Sequence, residues 1–141
     1  MTDFLELLAA PDTTVAVVGA SDNMAKYGAI IYRDLKARGF PVFPVNPNRT
    51  TVDGDPAYPN LATLPEEPTI IDMVIPADIG LSVLEEADRL GYRRVWFQPG
   101  SESAELLRYA QERGFDLLHD ACIMVVAGSV GRLKTPPRFL A

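Results

Sequence analysis

The chain alternates short apolar runs with amphipathic stretches, and several of the amphipathic stretches end at a glycine. Val15–Val18 is a continuous apolar run rich in β-branched residues, as expected of a strand covered on both faces. Tyr27–Arg38 places Ile30, Ile31 and Leu35 at helical spacing and stops at Gly39. Pro41–Val45 predicts a second strand, and Ile70–Ile75, Arg94–Phe97 and Phe115–Leu118 predict three more. Helices are expected over Ile79–Leu90, ending at Gly91, and over Ser103–Arg113, ending at Gly114. Trp96 and Phe97 fall among the expected core residues. Strands alternating with helices imply βαβ units and an α/β fold: a three-layer, doubly wound, mainly parallel sheet of five to six strands.

The remaining segments are less regular. Thr2–Ala10 predicts a short helix capped by Thr2, with Leu5, Leu8 and Ala9 on its apolar face and Pro11 as its stop. Asn46–Pro65 is rich in Pro, Asn, Thr and Gly, so it predicts a long connection with room for a small strand. Gly128–Ala141 is broken by glycine and proline and is expected to wrap the surface. No internal repeat or second domain is visible, so residues 1–141 are expected to form one domain.

Composition narrows the function classes. With 48% hydrophobic and 23% charged residues the chain has the balance of a soluble globular protein. No apolar run reaches membrane-spanning length. The acidic N-terminus lacks the basic region of a secretory signal, and the single Cys122 excludes an internal disulfide, so a cytoplasmic setting is expected. One Cys and one His do not make a zinc site. The net charge of −6 argues against a nucleic-acid partner. Residues 1–50 balance five basic against five acidic side chains, so the whole excess lies beyond them. A small anion therefore meets its least hostile surface in the N-terminal third.

In a doubly wound sheet, ligands bind past the carboxyl ends of the strands, where the strand order reverses. The first exit, Gly19-Ala20-Ser21, lets the chain turn and leads to a helix N-terminus, where backbone amides favour an anion. Lys26 adds a full charge there, and Gly28 allows close packing. The spacing is neither that of a dinucleotide fingerprint nor that of a P-loop. At the second exit a NAD site calls for an acid on the ribose, whereas this chain has Val45-Asn46-Pro47-Asn48, with Arg49 placed to meet a phosphate on a ribose. Pro76 at the third exit can line a flat slot, and Gln98 with Gly100 at the fourth can present one amide at the sheet edge.

Taken together, VAVVGAS (15–21), the Lys-Tyr-Gly at 26–28, GFPVFPVNP (39–47), Asp53 to Tyr58, IDMVIP (71–76), VWFQPG (95–100) and Asp-Ala-Cys-Ile (120–123) resemble the small CoA-binding protein family. That family is itself similar to the Rossmann-like CoA-binding domain of the succinyl-CoA synthetase alpha subunit. The likeness runs from about Asp12 to Val126. It implies coenzyme A or an acyl-CoA as ligand, with phosphates at Gly19, Ala20, Ser21 and Lys26, next to Tyr27 and Gly28. It places Val45, Asn46 and Pro47 in the nucleotide wall, Pro76 beside the cofactor, and Gln98 and Gly100 near its pantetheine arm. The synthetase has a further domain with a phosphorylated histidine, and this sequence shows none.

His119 and Cys122 are the remaining candidates for chemistry. A cysteine within ACIMVV is most simply a small buried hydrophobe, and the sharper reading puts Cys122 beside the CoA sulfur, able to form a mixed disulfide. Glu66-Glu67 and Glu85-Glu86 read as solvated surface. The expected function is a CoA-binding module without catalysis of its own. The alternatives are a nicotinamide-dependent oxidoreductase and one subunit of a split acyl-CoA synthetase, which would need a partner chain.

Overall fold

The computed structural model describes residues 3–134. In chain order its elements are α1 (Phe4–Ala9), β1 (Val15–Val18), α2 (Tyr27–Ala37), β2 (Val42–Val45), β3 (Thr51–Val52), β4 (Asp55–Pro56), a 3₁₀ turn (Leu61–Thr63), β5 (Ile70–Met73), α3 (Ala77–Leu90), β6 (Arg94–Phe97), α4 (Ala104–Glu112), β7 (Asp116–Leu118) and α5 (Ile123–Ser129). Five strands form one sheet in the order β2-β1-β5-β6-β7. All four pairings are parallel. The chain leaves β1 toward β2 on one side and returns to β5 on the other, so strand order reverses between β1 and β5.

The period-two geometry of the strands sorts β1 onto two cores. Val15 and Val17 pack with Phe4, Leu8, Ile31, Leu35 and Ile123, beneath α1, α2 and α5. Ala16 and Val18 pack with Leu61, Leu84, Leu106 and Ala110, beneath the 3₁₀ turn, α3 and α4. The layers are therefore helix, sheet and helix. Trp96 and Phe97 are completely buried, one in each core. Trp96 is fixed on its side by an edge-on contact with Phe4 at 5.8 Å and a 2.8 Å bond from Nε1 to the Ala121 carbonyl.

Several expectations are refined. Asp3 caps α1, its carboxylate accepting from the amides of Leu5 and Glu6; Thr2 lies outside the described residues. The buried face of α1 is Phe4 and Leu8, while Leu5 and Ala9 are exposed. The long connection holds an antiparallel hairpin, β3 with β4, and a 3₁₀ turn. α5 is the element the hydrophobic pattern left unassigned, and Gly128 and Ser129 close it instead of opening a surface strap. Its apolar run carries no polar period because Ile123 and Ala127 enter the core while Met124, Val126 and Val130 pack at its border. The rest of the expected strap, from residue 135, lies outside the described residues. Among the described residues no helix is long and apolar enough to cross a membrane.

Candidate functional site

At the β1–β5 reversal point a cleft of about 1210 Å³ opens past the carboxyl ends of the strands. Its floor begins with Gly19, at φ 98°. A Cβ there would overlap the Val74 carbonyl and lie 2.8 Å from Ile75 Cγ2, so only glycine lets the β1 exit lie flat against the β5 exit. A Cβ on Gly28 would in turn overlap the Gly19 carbonyl oxygen, so the start of α2 sits directly on the turn. Between the two glycines the loop is self-bonded. Ser21 Oγ accepts the Asn23 amide at 3.1 Å, and Asn23 Oδ1 accepts the Ala25 amide at 3.0 Å.

The start of α2 has no side-chain cap, although the Lys26 carbonyl accepts the Ala29 amide at 3.2 Å. Lys26 is its N-cap and supplies no side-chain hydrogen bond, and its first turn carries no acid. By contrast, Asp3 caps α1 and Ser103 caps α4 with side-chain oxygens. The first amides of an α-helix have no partner within it, so the α2 terminus presents donors and a positive dipole end to the cleft. Lys26, Tyr27 and Gly28 all line that cleft.

The second exit is stapled to the first. Asn46 Nδ2 donates to the Ala20 carbonyl at 2.9 Å, and Asn46 Oδ1 accepts the Asn48 amide at 2.8 Å. The Asn46 amide itself donates to the Tyr58 carbonyl at 2.9 Å. Val45, Asn46, Pro47, Asn48 and Arg49 form this wall. On its outer side a charged network holds the β3–β4 hairpin to α2: Lys36 Nζ and the Tyr32 hydroxyl both meet Asp55 Oδ2 at 2.6 Å. The hydrogen bond from Lys36 holds the Asp55 carboxyl below the usual carboxylate range, and burial first, then the bond to Asp55, pushes the Tyr32 phenol upward.

Pro76 opens α3, whose face of Ile79, Ser82, Val83, Glu86 and Arg89 forms the opposite wall. The Glu86 carboxylate accepts the Leu61 amide at 2.9 Å and the Ala62 amide at 3.3 Å, which ties α3 to the 3₁₀ turn. Glu86 is thus part of the wall and not plain solvated surface, whereas Glu66 and Glu67 are exposed. At the fourth exit Gln98, nearly buried, accepts the Ile123 amide at 2.9 Å through Oε1 and points Nε2 at Cys122 Sγ, 3.5 Å away. Gly100 and Cys122 line the cleft beside it.

Twelve of the thirteen residues expected at the site therefore share one cleft: Gly19, Ser21, Lys26, Tyr27, Gly28, Val45, Asn46, Pro47, Pro76, Gln98, Gly100 and Cys122. Ala20 does not line it; its side chain is in the core and its carbonyl receives Asn46. His119 is not in the cleft either. Its Nδ1 lies 2.6 Å from Asp120 Oδ2, in a pair at the far edge of the sheet. The α3 face and Asn60–Leu61 were not expected. In sequence, Ser82, Glu86 and Arg89 are indistinguishable from the solvated side of any amphipathic helix.

Charge sets the cleft apart from the rest of an acidic molecule. Among the described residues the charged side chains lining it are Lys26, Arg49, Arg89 and Glu86, and the Glu86 carboxylate already bonds two backbone amides. An elongated anion with apolar parts matches this lining of cations, prolines and aliphatic groups. Comparison with known proteins decides its class: residues 13–128 match the CoA binding domain. The chain belongs to that family. Over 122 residues this CoA-binding domain is 27% identical to acetate–CoA ligase [ADP-forming] I of Archaeoglobus fulgidus, covering 79% of the chain and 18% of the ligase. It is also 27% identical over 123 residues to the alpha subunit of acetate–CoA ligase [ADP-forming] II of Pyrococcus furiosus, covering 79% of the chain and 27% of that subunit. The chain thus spans about a quarter or less of these curated relatives. Among solved structures, a conserved hypothetical protein of Pyrococcus furiosus shares 43% identity, with a TM-score of 0.78 over 80% of this chain and 97% of that one.

Proposed function

We propose that this CoA-binding domain holds coenzyme A, free or as an acyl thioester, in the cleft of the β1–β5 reversal point. The 3′-phospho-ADP part lies over the first two exits, with its diphosphate on the α2 terminus between Ser21, Lys26, Tyr27 and Gly28. The pantetheine arm passes Pro76 and ends near Gln98, Gly100 and Cys122. The observation that carries this reading is the uncapped, acid-free start of α2 opening into the cleft that Lys26 and Arg49 line. The function is binding and presentation of the cofactor, without a reaction on this chain.

A nicotinamide dinucleotide fits less well. The residue past β2 that would hold its ribose is Asn46, whose amide is engaged at both ends by Ala20 and Asn48. A role as one subunit of an acyl-CoA synthetase is favoured by the Pyrococcus alpha subunit, of which this chain matches about a quarter; co-purification from the source cell would expose such a partner. Thermal melts test the main reading, because a ligand that binds only the folded state raises its stability. CoA is expected to raise the melting temperature and NAD or NADP to leave it unchanged, with the CoA shift reduced in Lys26→Ala. Equal shifts from all three ligands would contradict it.

A further inference from the structure

The cleft holds the Gln98 amide in one orientation. The side chain is only 5% exposed, just past the end of β6. Its Oε1 accepts the amide of Ile123, the first residue of α5, at 2.9 Å. That bond decides which end of the side-chain amide is oxygen. Nε2 is therefore turned toward Cys122, a lining residue of the cleft, with Sγ 3.5 Å away. A thiol sulfur is a weak acceptor, whereas a carbonyl oxygen is a strong one. Among the described residues the sulfur is the partner the structure gives Nε2.

Charge at this end of the cleft is one-sided. Ile75, Pro76 and Ile79 line it from the β5 exit and Gln98 to Ser101 from the β6 exit, and none of them is charged. Asp78 adjoins Ile79, Glu102 adjoins Ser101, and Asp120 lies two residues before Cys122, so the flanking charges are acids. Ile79 is half exposed and offers apolar surface to a ligand.

We propose that Gln98 makes the site selective for a CoA thioester of an uncharged acyl group over free CoA, its Nε2 donating to the thioester carbonyl. This rests on the cofactor reading above, which brings the cofactor sulfur to Gln98 and Cys122. In a thioester the carbonyl carbon is bonded to that sulfur, so its oxygen arrives at a donor already held in place. Nε2 exchanges a sulfur acceptor for an oxygen, while Oε1 stays on the Ile123 amide. The acyl chain continues over the apolar lining at Ile79, where a terminal carboxylate would meet acids and no cation.

Calorimetric titration with acetyl-CoA and with S-ethyl-CoA, in which a methylene replaces the carbonyl, tests the role of Gln98. The unaltered protein is expected to bind acetyl-CoA about two- to tenfold more tightly, the range of one neutral hydrogen bond. Free CoA should bind no better than S-ethyl-CoA. Gln98→Met removes the donor and should bring acetyl-CoA and S-ethyl-CoA to the same affinity, whatever the overall loss. Equal binding of the two by the unaltered protein overturns the proposal, and that comparison stands even where Gln98→Met folds poorly. A preference that survives in Gln98→Met overturns it as well. Butyryl-CoA and succinyl-CoA, matched in acyl length but ending in a methyl or a carboxylate, test the acyl class. Succinyl-CoA is expected to bind about fivefold more weakly, the order of one like-charge contact in water. Equal or tighter binding of succinyl-CoA overturns the uncharged class. Failure of every one of these ligands to bind would instead overturn the cofactor reading, and the proposal with it.

Discussion

Gly28 rests on the carbonyl oxygen of Gly19, close enough that no Cβ fits between them. The contact fixes where α2 begins relative to the end of β1, and so aims the helix terminus at the cleft. Gly28→Ala gains helix propensity but must push backbone against backbone. The clash dominates, since the obstructing atom cannot rotate away. We expect a net loss of about 1–3 kcal/mol of stability in urea unfolding, as for other overpacked sites, together with weaker CoA binding. A variant as stable as the parent would show that the turn has room to shift.

Asn46 ties the first two exits together through Ala20 and Asn48. Asn46→Ala removes both bonds and leaves the Ala20 carbonyl without that partner, a loss of about 1–3 kcal/mol. Calorimetry should show reduced affinity for CoA and dephospho-CoA in equal proportion, because the residue positions the wall and does not read the phosphate. A loss confined to CoA would contradict that role.

Asp72 is the least comfortable residue in the sheet. It is completely buried in β5 between Val17 and Trp96, and neither carboxylate oxygen has a hydrogen-bond partner. Burial pushes its carboxyl well above the usual range. The unfolded chain therefore releases this proton at lower pH than the folded one. Stability from this group is complete below about pH 4 and falls as pH rises toward the folded-state value. Asp72→Asn should be more stable than the parent at pH 8, with the difference vanishing near pH 3. Parallel stability curves across that range would count against it.

Cys122 lines the cleft with Gln98 Nε2 pointing at its sulfur. With CoA bound as proposed, the cofactor thiol ends here. Incubation with CoA disulfide should then transfer one CoA: the Cys122 thiolate attacks, a protein–CoA disulfide forms, and the second CoA leaves as its thiolate. Intact mass should show one adduct, absent in Cys122→Ser and reversed by dithiothreitol. A Cys122 that reacts with a small maleimide but never with CoA disulfide would place the thiol elsewhere.

The hydrophobic pattern revealed the sheet because its central strands are buried, so that β1 reads as an unbroken apolar run and β5 and β6 as largely apolar ones. The glycine at the β1 exit and the missing acid past β2 then located most of the cleft. Two things stayed hidden for physical reasons. α5 packs nearly apolar on several sides, so no polar period marks it as a helix. The α3 wall uses the polar face of an amphipathic helix, and Glu86 differs from Glu85 only in where the Leu61 and Ala62 amides come to lie. Asn46 was expected to face the nucleotide as part of its wall; the structure adds that its amide joins two loops, a long-range relation that no local spacing encodes.

The central claim is that this cleft takes coenzyme A and not a nicotinamide dinucleotide. Isothermal titration of the purified protein with CoA, NAD and NADP tests it most directly. The account predicts saturable one-to-one binding of CoA with a Kd of about a millimolar or tighter, an affinity of at least about 4 kcal/mol, and no saturable heat with NAD or NADP. Tighter binding of either dinucleotide, or no binding of CoA, would contradict it.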